Sequence, residues 1–224
     1  MAAPGLAVTE QRAKPLRMTA ADRRQQIIRT AMQQFAQKGF KGTTTKEIAT
    51  AAGVNEALIF RHFPTKQDLY SAIIDFKMSE YQQKIRSVLE RDIERLDDEA
   101  LFEDLAYGLL ELHRQDGTFL RLLLHSALEG HELSRMFFQS QAAPNFQFIA
   151  DYIARRIKDG VYRPVEPKAM ARAFFGMVVY QAQVRELFDP EGKIVKLSSR
   201  QAARLFAQVF LHGVLQSKKE KKSS

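Results

Sequence analysis

The sequence predicts an all-α protein, a small N-terminal three-helix domain built around a helix-turn-helix and then a larger helical domain. Three observations carry that prediction. Residues Thr44 to Phe63, TTKEIATAAGVNEALIFRHF, read as two short helices about a tight turn. Downstream, apolar residues recur at three- and four-residue spacing through one segment after another. No strand-like alternation bounded by turn signals appears in that half.

The elements follow in order. Residues 1–18 form an expected flexible arm, with Pro4, Gly5 and Pro15 and no apolar periodicity; its Arg12, Lys14 and Arg17 are candidates for phosphate or minor-groove contact. Thr19 is an N-cap for a helix running to about Lys38, in which Ile28, Ala31 and Phe35 fall at helical spacing beside Ile27 and Met32. Gly39 ends it, and Phe40 folds back. Thr44 caps the next helix, whose small apolar face is Ile48, Ala49 and Ala52. Gly53 stops that helix because glycine takes the left-handed C′ conformation without a steric penalty. Val54 plugs the turn, and Asn55 caps a second helix that buries Ile59 and Phe63, four residues apart. Small residues at Ala49 and Gly53 allow the close crossing that a helix-turn-helix needs. Pro64 then breaks the chain, and Thr65 caps a fourth helix with Lys66 and Asp68 in its first turn.

That fourth helix is expected to run over 65–92, with Leu69, Ile73, Phe76 and Ile85 inward. The pattern restarts at Asp97 and Asp98 with Leu101, Leu105, Leu109 and Leu112, breaks at Gly117, and resumes over 118–129. Residues 131–160 read as helix, an interruption near Pro144, and helix again to Gly160. Two last helices, Pro167 to Phe188 and Ser198 to Gln216, are apolar over a wider arc than a surface helix needs. SKKEKKSS ends the chain as a solvated tail. The expected organisation is an arm over 1–18, a helix-turn-helix domain over 19–66, a helical domain over 67–216 and a disordered tail over 217–224.

Charge narrows the function. The net charge is +8, but residues 1–66 hold eleven Lys/Arg against four Asp/Glu, while the remainder is nearly balanced. A basic head on a neutral body suits a nucleic-acid-binding module. The chain has no cysteine, which excludes disulfides, zinc-thiolate sites and thiol chemistry. It has no secretory-type apolar segment near its start and no apolar run of membrane-spanning length, so a soluble, cytoplasmic protein with no membrane partner is expected. His113, His125, His131 and His212 form no ligand cluster, His125 with Glu129 being the nearest pair, so no metal and no cofactor is expected. Glu103/Asp104 and Asp97/Asp98 read as solvated charges at helix starts. With no phosphate loop and no nucleophile elbow, an enzyme is not expected.

The stretch Gly39 to Leu69, GFKGTTTKEIATAAGVNEALIFRHFPTKQDL, resembles the DNA-binding domain of the TetR/AcrR family of bacterial transcriptional regulators. The matching elements are G-F, T-T-x-x-x-I-A, A-G-V at the turn and R-H-F-P-x-K-x-x-L, in order and at the family's spacing, over about residues 20–80. The resemblance implies that Thr44, Thr45 and Lys46 face the DNA backbone. It implies that Asn55, Glu56, Ala57 and Leu58 approach base edges, that Arg61 and His62 end the recognition helix near phosphates, and that Thr65 and Lys66 grip another phosphate. The family's recognition helix often begins Ser-Lys/Arg-Gly/Pro-Thr and has Tyr where this chain has Phe60, so the base-reading surface departs from the pattern.

The resemblance further implies a homodimer on double-stranded operator DNA and a small-molecule effector held in the larger domain. The two wide-arc helices supply the dimer candidates Met170, Phe174, Met177, Val178, Leu205, Phe206, Val209 and Phe210. Candidates for the ligand pocket are Tyr107, His113, Phe119, Leu123, Phe148, Tyr152, Phe175 and Tyr180, and their aromatic character favours an apolar or aromatic effector. The expected function is a ligand-responsive transcriptional regulator, a repressor released from its operator by that effector. The alternatives are a constitutive DNA-binding regulator, or a helical ligand carrier or enzyme with a basic head.

Overall fold

In the computed structural model, residues 18–115 and 117–215 are described. The arm, apart from Met18, and the tail, with Arg12, Lys14 and Arg17, lie outside the described residues. Among the described residues ten α-helices follow one another: α1 Ala20–Lys38, α2 Thr45–Ala52, α3 Glu56–His62, α4 Lys66–Glu94, α5 Asp98–Gln115, α6 Thr118–Leu128, α7 Glu132–Phe137, α8 Ala143–Lys158, α9 Pro167–Leu187 and α10 Ser199–Val214. No strand forms among the described residues; one isolated antiparallel bridge joins Tyr162 to Leu215. No helix among them is long and apolar enough to cross a membrane.

The helix starts are chemically marked. Thr19, Thr44, Thr65 and Ser198 each close a capping box, with Asp22, Glu47, Asp68 and Gln201 three residues on. Each pair satisfies two amides that have no intrahelical partner. At Pro144 the chain departs from expectation. Instead of an interruption, α7 passes through a π-helical turn, Phe138–Ala142, straight into α8, with Pro144 in the first turn. A proline there needs no backbone N–H, and the wider π turn relaxes the crowding that a proline ring imposes on the carbonyl four residues back.

Two apolar clusters organise the packing. In the head, Ile27, Ile28, Ala31 and Phe35 of α1 meet Ile48 and Ala49 of α2, Ile59 of α3, and Leu69, Tyr70 and Ile73 of α4; Phe119 and Leu122 of α6 complete the same cluster. The head therefore closes its core against the body. The body cluster is centred on Phe102 of α5, Phe174 of α9 and Phe210 of α10, with ring centroids 4.5–5.2 Å apart. The 29-residue α4 reaches both. At 1.5 Å per residue it is roughly 43 Å long.

A charged cluster ties the body's ends together. The Asp98 carboxylate at the start of α5 accepts from Tyr152 Oη at 2.6 Å and from the Arg156 guanidinium at 2.8–2.9 Å, both on α8. Asp98, expected as a solvated charge, is instead only 13 % exposed.

Candidate nucleic-acid interface

The helix-turn-helix is built by short-range hydrogen bonds that the residue types dictate. Thr44 Oγ accepts from the Glu47 amide at 3.2 Å, and Glu47 returns the bond to the Thr44 amide at 2.8 Å. Gly53 takes φ 64° and ψ 35°, the left-handed conformation. The next amide, Val54 N–H, then donates to Ala49 O at 3.0 Å and seals the α2 terminus. Gln26 Nε2 of α1 donates to the last α2 carbonyl, Ala52 O, at 3.1 Å. Asn55 Oδ1 accepts from Leu58 N–H at 2.8 Å and starts α3. Ile59 and Phe63 point into the head core, so Ala57 and Arg61, four residues apart, share the exposed face of α3 with Phe60 beside them.

The basic and acidic groups of this surface have distinct attachments. Lys46 and Arg61 are exposed. Glu47 is held by Lys38 Nζ at 2.8 Å, and that bond together with those from Thr44 pulls its carboxyl down to about 2. Glu56, the acid in the first turn of the recognition helix, accepts a hydrogen bond from the Thr45 hydroxyl across the turn. Its charge is thereby drawn back toward α2. His62 is half-buried against the Phe63 ring, and Thr65 is exposed at its cap.

Lys66, which the resemblance places against a phosphate, is held within the chain here. Its ammonium donates to Phe40 O at 2.7 Å and Thr43 O at 2.9 Å and lies 4.1 Å from the Phe40 ring centroid. The carbonyls of the loop before α2 converge on that point, so the side chain turns inward, and burial lowers its pKa. Thr43, fully buried, anchors the same loop through its hydroxyl to Gly39 O at 2.8 Å. Neither Thr43 nor Gln26 stands out in the sequence, because both act on backbone carbonyls whose positions depend on helix crossing.

The pocket candidates separate. Tyr107 and His113 line a cleft of about 510 Å³ bounded by α5, α9, the 188–198 segment and the start of α10. Phe119 and Leu123 belong to the head–body cluster, Tyr152 is held by Asp98, and Phe175 meets Phe146 edge to face with centroids 4.7 Å apart. Phe148 and Tyr180 are exposed. The cleft is bordered by Arg114, Arg185, Arg200 and Ser199 as well, and the arginines carried no ligand signal in the sequence because arginine is common on helix surfaces.

The dimer candidates separate too. Phe174, Val178 and Phe210 are buried within the subunit at 0–3 % exposure, where a second copy cannot reach them. Met170, Met177 and Phe206 pack against that core. Leu205 and Val209 alone of the eight are exposed, on the outward side of α10; on α9 the outward stripe is Ala173, Gly176, Tyr180 and Leu187. The wide apolar arc therefore divides into a core side and an outer side.

Comparison with known proteins adds to this geometry. Residues 27–73 match the family model described as bacterial regulatory proteins, tetR family, and residues 107–213 match that of the AefR-like transcriptional repressor C-terminal domain. The chain is 24% identical over 195 residues to the uncharacterized HTH-type transcriptional regulator YhgD of Bacillus subtilis, covering 86% of this chain and 97% of YhgD. It is 45% identical to B. subtilis YvkB, also an uncharacterized HTH-type regulator, over 65 residues, 29% of this chain and 32% of that one. Among solved structures, a putative TetR-family regulator from Mesorhizobium loti superposes with TM-score 0.66 at 22% identity, over 89% of this chain and all of that one. AibR in complex with isovaleryl coenzyme A and operator DNA superposes with TM-score 0.63 at 21% identity, over 86% and 98%.

Proposed function

The chain belongs to the TetR family of DNA-binding transcriptional regulators, and from that premise we propose that it is a homodimeric repressor released from operator DNA by a small molecule. The observation that carries the DNA reading is the α2–turn–α3 unit, which presents Lys46, Ala57 and Arg61 outward from a fully packed head. Asn55 retains its side-chain amide N–H groups for a base edge, since only its oxygen serves the helix cap. Thr44, Thr45 and Thr65 supply hydroxyls near the backbone, and Leu58 offers apolar contact.

Two copies are required because paired helix-turn-helix units engage half-sites about 34–36 Å apart. The outward stripes of α9 and α10, with Tyr180, Leu205 and Val209, are the surface we assign to that contact. The repressor reading follows the C-terminal family match. The effector reading follows AibR, which has been solved with both a coenzyme A thioester and operator DNA. Phenylalanines no longer argue for an apolar effector, since Phe102, Phe119, Phe174 and Phe210 fill core.

Selection of bound duplexes from random DNA, followed by gel shift, tests the proposal. A palindromic site bound by the intact chain and weakened by Lys46→Ala and Arg61→Ala is expected. Absence of any preferred sequence, with both variants behaving as the parent, rejects it.

A further inference from the structure

The cleft between α5, α9 and the start of α10 has a charge pattern that points to a ligand. Most of its ionic groups are already matched. Arg114 forms two 2.7 Å hydrogen bonds to Glu111, Glu186 accepts from Arg121 at 2.6 Å, and Arg200 donates to Asp104 at 2.9 Å while stacking 3.7 Å over Tyr107. Arg185 is the exception. Among the described residues no carboxylate lies within ion-pair distance of it; the nearby Asp189, whose oxygens accept from the Lys193 and Ile194 amides at 2.7 and 3.1 Å, attracts it only at longer range. Its guanidinium packs against Gly192, where a Cβ would collide with it.

Two further donors border the same space. Ser198 caps α10 by accepting from the Gln201 amide, so the Ser199 and Arg200 amides ahead of it have no acceptor among the described residues. His113, on the α5 wall, is half-buried, and its Nδ1 is sealed from solvent without a partner, so it bounds the cleft without offering it a donor. Leu110, Ala182 and Leu197 supply an apolar portion of the lining. A guanidinium without an ion-pair partner and a helix N-terminus around a partly apolar space select an anionic head on a small body.

We propose that this cleft binds a small organic anion, a carboxylate or phosphate monoester on a short apolar body, received by Arg185 and the first-turn amides of α10. The ligand is the effector of the regulator proposed above, and that role rests on that reading; the binding itself does not. A volume of about 510 Å³ is within the usual range for small-molecule sites. The planar guanidinium takes two oxygens of the anion at once, and the helix N-terminus adds charge of the same sign.

Calorimetric titration of the full chain with phenyl phosphate, benzoate and benzyl alcohol is the test. Both anions are expected to bind once per chain and the alcohol not at all. Arg185→Gln is expected to weaken the anions tenfold or more. Gln181→Glu is the second variant: it stands four residues before Arg185 on α9, pairs with it favourably along the helix, and neutralises it without threatening the fold. It is expected to lose anion binding with its melting temperature unchanged. No anion binding, equal binding of benzyl alcohol, or full anion affinity in Gln181→Glu overturns the assignment. Gel shift on the selected DNA separates the two proposals. Anion binding that leaves DNA affinity unchanged removes the effector role and keeps the cleft; DNA binding without any anion binding overturns the cleft and keeps the DNA-binding reading.

Discussion

The Phe40 amide donates a 3.2 Å hydrogen bond to Glu129 Oε2, joining the loop that leads into the helix-turn-helix to the end of α6. His131 stacks on the same Phe40 ring at 4.1 Å, and Tyr70 of α4 donates to Leu122 O of α6 at 3.2 Å. Head and body thus share polar contacts as well as a core, and a shift of α6 has a direct path to the loop before α2.

Gly39 makes this contact possible and carries the first prediction. It has φ 74° and ψ 174°, and a Cβ there would land on the Glu129 carboxylate. Gly39→Ala is expected to cost about 1–3 kcal/mol from backbone strain alone, with the collision in addition. Combining it with Glu129→Ala relieves the collision and leaves the strain. Urea unfolding of the two single variants and the double variant reads this as a non-additive cycle.

Removal of exposed cations is expected to change the salt dependence of DNA binding. Lys46→Ala and Arg61→Ala should each reduce the slope of log K against log salt by roughly 0.9 if each meets one phosphate. Glu56→Gln should act oppositely on affinity, strengthening binding by deleting an acid from the recognition helix, with the slope little changed. Fluorescence anisotropy on one duplex across a salt series measures all three.

Asp98 anchors the body. Asp98→Asn leaves the Arg156 guanidinium, 11 % exposed, with only Asp159 at 3.6 Å as its anion and is expected to cost about 1–3 kcal/mol. Tyr152→Phe removes one neutral donor and should cost about 1 kcal/mol or somewhat more. Denaturant midpoints at constant slope compare the two directly.

The pH dependence of stability should carry a signature of His113. Burial lowers its pKa from 6.5 to about 4, so the native state holds the ring neutral where the unfolded chain takes up a proton. The unfolded state then binds more protons between those values, and stability falls as pH drops from about 6.5 toward 4, by at most roughly 3 kcal/mol. His113→Phe is expected to flatten that portion of the profile. Unfolding free energies at intervals from pH 4 to pH 7 supply the check.

Much of the fold was legible because local chemistry decides helix ends. Thr19, Thr44, Thr65 and Ser198 with their partners three residues on, Gly53 at the turn and Pro167 in the first turn of α9 act within a few residues of themselves. Pro144 was misleading because a proline reads as a break unless the preceding turn widens, and widening depends on what the turn packs against. The exposed face of α3 was legible for a related reason: Ile59 and Phe63 commit one face of a seven-residue helix, which leaves Ala57 and Arg61 to the other.

Periodicity could not say which partner covers an apolar residue. Phe174 and Leu205 both lie on apolar arcs, yet one is fully buried in its own subunit and the other is exposed. The motif placed Lys66 near a phosphate, and nothing in it signalled the hydrogen bonds to the loop carbonyls of Phe40 and Thr43. Arg185 looked like any surface arginine until the fold set it against Gly192, with no carboxylate at ion-pair distance among the described residues. By itself the sequence determined the all-α class, the helix-turn-helix and the basic head, because caps, glycine conformations and charge composition are local properties. Only the tertiary structure decided where the core ends, which cations stay unmatched and how α6 holds the loop before α2. Those depend on distances between residues far apart in the chain, which no spacing rule encodes.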